Sequence, residues 1–134
     1  MPFQGPKVLE KTYVVTDAEA IHFLGPAVTP GLSTPSLVRW MELTSRENAA
    51  PLLNPGEDTV GVSVEVKHLA PTPVGMKVRV TSKLQRVEGR IYSFDIEAFD
   101  EMDKIGEATH TRASINVAKF AARLTAKKEK VSSK

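Results

Sequence analysis

Met76-Lys77-Val78-Arg79-Val80-Thr81-Ser82-Lys83-Leu84-Gln85-Arg86-Val87-Glu88-Gly89-Arg90-Ile91-Tyr92-Ser93-Phe94-Asp95-Ile96-Glu97-Ala98-Phe99 spells two strands and the turn between them. Met76, Val78, Val80 and Leu84 share one face, with Lys77, Arg79, Thr81 and Lys83 on the other. Past the tight turn Val87-Glu88-Gly89-Arg90, the residues Tyr92, Phe94, Ile96 and Ala98 repeat the alternation. A sheet with one apolar face must bury that face against something else.

Working outward, Asp100-Glu101-Met102-Asp103 is a short connection into a further strand signal, Lys104 to Val117, so the last three strands form an antiparallel meander. Upstream lie strand signals at Thr59 to Ala70 and, with weaker alternation, at Val8 to Val15. Between these two, Ser33-Thr34-Pro35 starts a helix that should reach about Ala50 or Leu53 before Asn54-Pro55-Gly56 ends it. Projected at about 100° per residue, Leu37, Val38, Met41, Ser45, Asn48 and Leu52 gather on one side, Arg39 and Arg46 lie opposite, and Glu42 sits on the border. The spacing predicts an α+β layer: five antiparallel strands covered by one long central helix. Thr16 to Ser33, with Gly25, Pro26, Pro30 and Gly31, reads as a long loop, with a helical turn at Asp17 to Phe23 and the character of a lid.

A chain of 134 residues suits one domain, taken here as 1–126 with a short helix at Ala118 to Ala126, followed by a basic, disordered tail at 127–134. Hydrophobic content of 41% and charged content of 25% give an ordinary globular profile without a bilayer-spanning run. The first seven residues lack the apolar core of a signal peptide, so a cytoplasmic protein without membrane contact is expected. The absence of cysteine removes disulfides and thiolate chemistry. Of the net charge of +2, the last eight residues carry +3, which leaves a faintly acidic body and argues against a nucleic-acid surface. His22, His68 and His110 show no metal-ligand spacing, and no phosphate-binding glycine loop is present, so neither metal nor cofactor is expected.

Chemistry concentrates at a few positions. In the strand Thr59 to Ala70 every even residue from Val60 to Val66 is valine, and His68 continues that parity onto the face the valines bury. An imidazole there is either a general base or a satisfied structural histidine. Thr34 caps a helix, and its hydroxyl sits where free amides and the positive end of the helix dipole would stabilise an oxyanion. Glu42 has arginines three residues before and four after, spacings that make a surface salt bridge, yet from its border position it could also lean under the sheet. Arg112 is by default an outward sheet residue; turned inward, it is a fixed positive charge. His110 shares its parity and has no evident task.

Several of these segments resemble the fluoroacetyl-CoA thioesterase-like family of hotdog-fold thioesterases. They are Thr34 with Met41-Glu42, Gly61 through His68, Pro73-Val74-Gly75-Met76-Lys77-Val78, Val87-Glu88-Gly89-Arg90, and Ile105-Gly106 through Thr109-His110-Thr111-Arg112-Ala113. The resemblance implies a hotdog fold and a homodimer whose sheets join edge to edge, with active sites at the interface and an acyl-CoA thioester as substrate. No cofactor is implied beyond the coenzyme A of the substrate. It places Thr34, Glu42 and His68 on catalytic positions, and Gly61 and Arg112 on positions lining the acyl pocket. The reaction class carries over, but not the acyl group. A non-catalytic acyl-CoA binding protein and an acyl-CoA hydratase on the same fold stand as the alternatives.

Overall fold

The computed structural model describes residues 3–132. Strand β1 (Lys7–Val14) is followed by a 3₁₀ turn at Asp17–Glu19 and the two-residue strands β2 (Ala20–Ile21) and β3 (Gly31–Leu32). Helix α1 (Thr34–Ala49) continues as a 3₁₀ turn through Leu52. Then come β4 (Glu57–His68), β5 (Lys77–Glu88), β6 (Ile91–Phe99), β7 (Lys104–Asn116) and helix α2 (Val117–Ser132). Five strands form one antiparallel sheet in the order β1-β5-β6-β7-β4, while β2 and β3 pair as a separate ribbon. The expected α+β layer of five strands and one covering helix is what forms.

The core lies between α1 and the sheet. Leu37 and Met41 from the helix meet Val78, Val80, Leu84, Phe94, Ile96, Ala98 and Ile105, all at most 2% exposed. Apart from the small Ala98, each such side chain stabilises the fold by about 1.5–3 kcal/mol relative to exposure. The helix face differs from the projection in two places. Trp40 and Thr44 are buried because Tyr13 of β1 stacks on Trp40 at 4.9 Å and its hydroxyl lies 2.9 Å from Thr44 Oγ1. Leu52, placed on the buried side by the projection, is 41% exposed because the helix has already tightened into its 3₁₀ turn.

The polar end of that face is tied down as well. Asn48 donates to the carbonyls of Lys7 and Ser82, and the Lys7 ammonium donates back to Asn48, which fastens the end of α1 to β1 and β5.

The simple valine parity of β4 fails. Between Gly61 and Ser63 the strand slips by one residue against β7. Gly61 pairs with Arg112 and Val64 with His110, so Gly61 shares the helix side with Val64, Val66 and His68, while Val60 moves to the other side. The bulge also leaves Val62 at 60% and Val64 at 37% exposure along a sheet edge.

The expected short helix and disordered tail are replaced by one helix, α2, running from Val117 through Ser132; Ser133 and Lys134 fall outside the described residues. No Gly or Pro interrupts that stretch, and its lysines, alanines and Arg123 are good helix formers. Among the described residues no helix is long and apolar enough to cross a membrane.

Candidate active site

Helix α1 is pinned at its start from two sides. The Ser33 amide donates to the Glu19 carbonyl and the Leu32 amide to the Thr72 carbonyl, both at 2.8 Å. Ser33, not Thr34, is the N-cap: its hydroxyl accepts from the Ser36 amide at 3.2 Å. Thr34 is therefore the first helical residue, and its hydroxyl is free for another partner. That partner is His68, whose Nδ1 lies 2.8 Å from Thr34 Oγ1.

His68 closes β4, paired with Gly106 of β7. A Cβ on Gly106 would fall 2.9 Å from Leu37 Cδ2, so the bare glycine lets the first turn of α1 approach the sheet closely enough for that hydrogen bond. Burial pushes the His68 pKa below the ordinary imidazole value, with the Ala70 backbone pulling weakly the other way. The shift favours the neutral ring. Its Nε2 is buried and has no hydrogen-bond partner among the described residues. Beside the pair opens an apolar cleft of about 640 Å³, lined by Ile21, Leu24, Val28, Leu32 and Leu69 together with Thr34 and His68. The loop expected to act as a lid supplies most of that wall, and Phe23 on it is 81% exposed.

A second cluster sits two turns further along α1, about 12 Å from Thr34 by helical rise. There Glu42 Oε2 lies 3.5 Å from Arg112 Nη1. Arg112 points inward and is 5% exposed. Its Nε donates to Thr59 Oγ1 and its Nη2 to the Thr59 carbonyl, each at 2.8 Å. Burial lowers the guanidinium's pKa, and Glu42 opposes that effect. A Cβ on Gly61 would fall 2.6 Å from Glu42 Oε2, so only glycine leaves the carboxylate room over the bulged strand.

Within one chain, then, the expected catalytic residues divide. Thr34 and His68 are joined directly; Glu42, with Gly61 and Arg112 beside it, belongs to the other cluster. Thr59 and His110, which complete this second cluster, had no role in the sequence reading. For His110 the signal was its shared parity with Arg112, whereas the bulge that turns Thr59 inward leaves no pattern in the strand. Among the described residues no group of three or more histidines and carboxylates is arranged to hold a metal.

The family model for FlK, the fluoroacetyl-CoA-specific thioesterase, matches residues 15–118. A fluoroacetyl-CoA thioesterase from Streptantibioticus cattleyicolor is 42% identical over 95 residues, which span 71% of this chain and 68% of that protein. A solved structure of the fluoroacetyl-CoA thioesterase FlK superposes with a TM-score of 0.86 at 34% identity, covering 93% of this chain and 97% of its own. A thioesterase superfamily member from Thermus thermophilus superposes with a TM-score of 0.90 at 32% identity, over 99% and 98% of the two chains.

Proposed function

The chain belongs to the fluoroacetyl-CoA-specific thioesterase family with its hotdog fold, and from that premise we propose that it hydrolyses the thioester of a small acyl-CoA at a site shared between two subunits. The observation that carries the reading is the 2.8 Å contact between Thr34 and His68 at the positive end of α1, in the lining of an apolar cleft. His68 Nδ1 takes a proton from Thr34, or from a water that the hydroxyl positions. The oxygen so activated adds to the thioester carbonyl. Pro35 has no N–H and the Ser36 amide is spent on Ser33, so the oxyanion is stabilised by the Thr34 amide and the positive end of α1. Collapse expels the thiolate of coenzyme A, which takes the proton back from the imidazolium. Attack by Thr34 itself gives an acyl-threonine that a second water cleaves, whereas attack by water gives the acid at once.

Glu42 enters from the second subunit. The exposed run from Gly61 to Glu65 lies on a sheet edge, and such an edge invites a second copy. Antiparallel pairing of β4 with its symmetry mate about a two-fold axis near Val64 sets His68 of one chain opposite the Thr59 to Gly61 stretch of the other, which Glu42 overlies. Glu42 of the partner subunit can then orient the imidazole or the hydrolytic water, with Gly61 and Arg112 beside the acyl group.

A point mutant of the fluoroacetyl-CoA-specific thioesterase FlK has been crystallised with fluoroacetate and coenzyme A. For this chain the acyl group is left to measurement: release of free thiol from a graded acyl-CoA series. Turnover of at least one member supports hydrolysis. Binding without thiol release favours an acyl-CoA carrier, and hydration of an enoyl-CoA without thiol release favours a hydratase.

A further inference from the structure

Of the side chains that meet where α1 crosses the middle of β4 and β7, His110 and Thr59 have no part in the reaction above, and His110 is the one whose contacts reach both Arg112 and the bulged strand. It is 2% exposed, and its ring stacks on Phe94 with centroids 5.8 Å apart. Both ring nitrogens are engaged. Nδ1 lies 2.7 Å from the Ser63 carbonyl, which can only accept, so Nδ1 carries the proton. Nε2 then offers a lone pair, and 3.3 Å away stands Arg112 Nη1, which can only donate. The partners dictate the tautomer.

Arg112 spends Nε and Nη2 on Thr59, so Nη1 is the nitrogen it shares between His110 and Glu42. Ser63 in turn is where register with β7 resumes after the bulge, the irregularity that brings Gly61 under the Glu42 carboxylate. One imidazole therefore touches both supports of that carboxylate: the cation beside it and the strand beneath it.

We propose that His110 is a positioning residue for Glu42, holding the Arg112 guanidinium through Nε2 and the bulged strand through Nδ1–H in the arrangement that leaves the carboxylate seated over Gly61. The inference rests on the proposed hydrolysis, in which Glu42 takes part. The charged groups facing His110 are Arg112 on its own strand and Glu42 on α1; β4 presents the Ser63 carbonyl and β6 the Phe94 ring. Protonation at Nε2 would aim an N–H at the buried guanidinium and drive Arg112 away from its place. Burial holds the ring neutral below the ordinary imidazole pKa, and Arg112 adds to that against the pull of Ser63 and Glu42.

The test compares His110→Phe with His110→Gln in the purified protein, using the acyl-CoA that the parent hydrolyses fastest. Phenylalanine keeps a ring against Phe94 and supplies no acceptor; kcat should fall about ten- to a hundredfold while KM stays within about threefold. Glutamine places an amide oxygen near the position of Nε2 and should restore kcat to within about threefold of the parent. A phenylalanine variant as fast as the parent overturns the proposal, and so does a glutamine variant as slow as the phenylalanine one. Independently of activity, imidazole ¹⁵N signals of the parent should show His110 protonated at Nδ1 and bare at Nε2; an Nε2–H tautomer overturns it. Should the parent release no thiol from any acyl-CoA, the hydrolysis reading falls, while the ¹⁵N signals still decide whether His110 holds Arg112 as described. Should the phenylalanine variant not fold, the glutamine variant and those signals carry the test.

Discussion

As the proposed base, His68 has to be unprotonated when substrate arrives, and its surroundings favour that form: the half-buried ring has its pKa lowered by desolvation, and its Nδ1 lies on the Thr34 hydroxyl. Replacing it with alanine should leave the fold intact and cut turnover by about two to four decades, the scale of a lost general base; a variant that releases thiol at the parental rate contradicts the assignment. The acid limb of kcat/KM should fall below about pH 6.5, the ordinary imidazole value. The same depression has a sign for stability. His68 and His110 both bind protons more weakly when folded, so their contribution is complete above the unfolded pKa and is lost as pH falls beneath it. The melting temperature should therefore decline as pH drops from about 6.5, and His110→Gln should flatten part of that slope. At Gly61 an added Cβ would meet the end of a flexible side chain, so Gly61→Ala should displace Glu42 and not unfold the protein. The expected result is kcat lowered about tenfold or more with little change in melting temperature.

Elements differ in how openly they announce themselves. The β5–β6 hairpin could be read because its two faces are chemically opposite and Gly89, at φ 61°, fits the turn. The start of α1 was legible as a place and misread as a chemistry, since two hydroxyls stand side by side and only the backbone decides that Ser33 caps while Thr34 is left for His68. Trp40 and Thr44 were missed because their partner, Tyr13, lies on a strand remote in sequence. The bulge in β4 has no signature in a run of alternating valines, and with it went the inward turn of Thr59. The fit of α1 against β7 is open to test at Gly106. Alanine there would crowd Leu37, and overpacking of this kind costs about 1–3 kcal/mol. Gly106→Ala should lower the melting temperature and, by lifting the first turn off the sheet, lower kcat too. Unchanged values of both would show that the close approach has no consequence for the site.

At the scale of the whole molecule, one chain keeps the Thr34–His68 pair apart from the Glu42–Arg112 cluster, and the proposal makes them halves of sites shared across the exposed β4 edge. Val64→Lys would set like charges against each other across the proposed two-fold axis, so solution scattering should report monomers and thiol release should collapse with the dimer. A fully active monomer would end the shared-site account. The most direct measurement mixes two inactive proteins, His68→Ala and Glu42→Gln, in equal amounts under conditions where subunits exchange. If each site draws Thr34 and His68 from one chain and Glu42 from the other, mixed dimers regain one intact site apiece and thiol release should recover to about a quarter of the parental rate. No recovery, with subunit exchange confirmed, would contradict a site assembled from two chains.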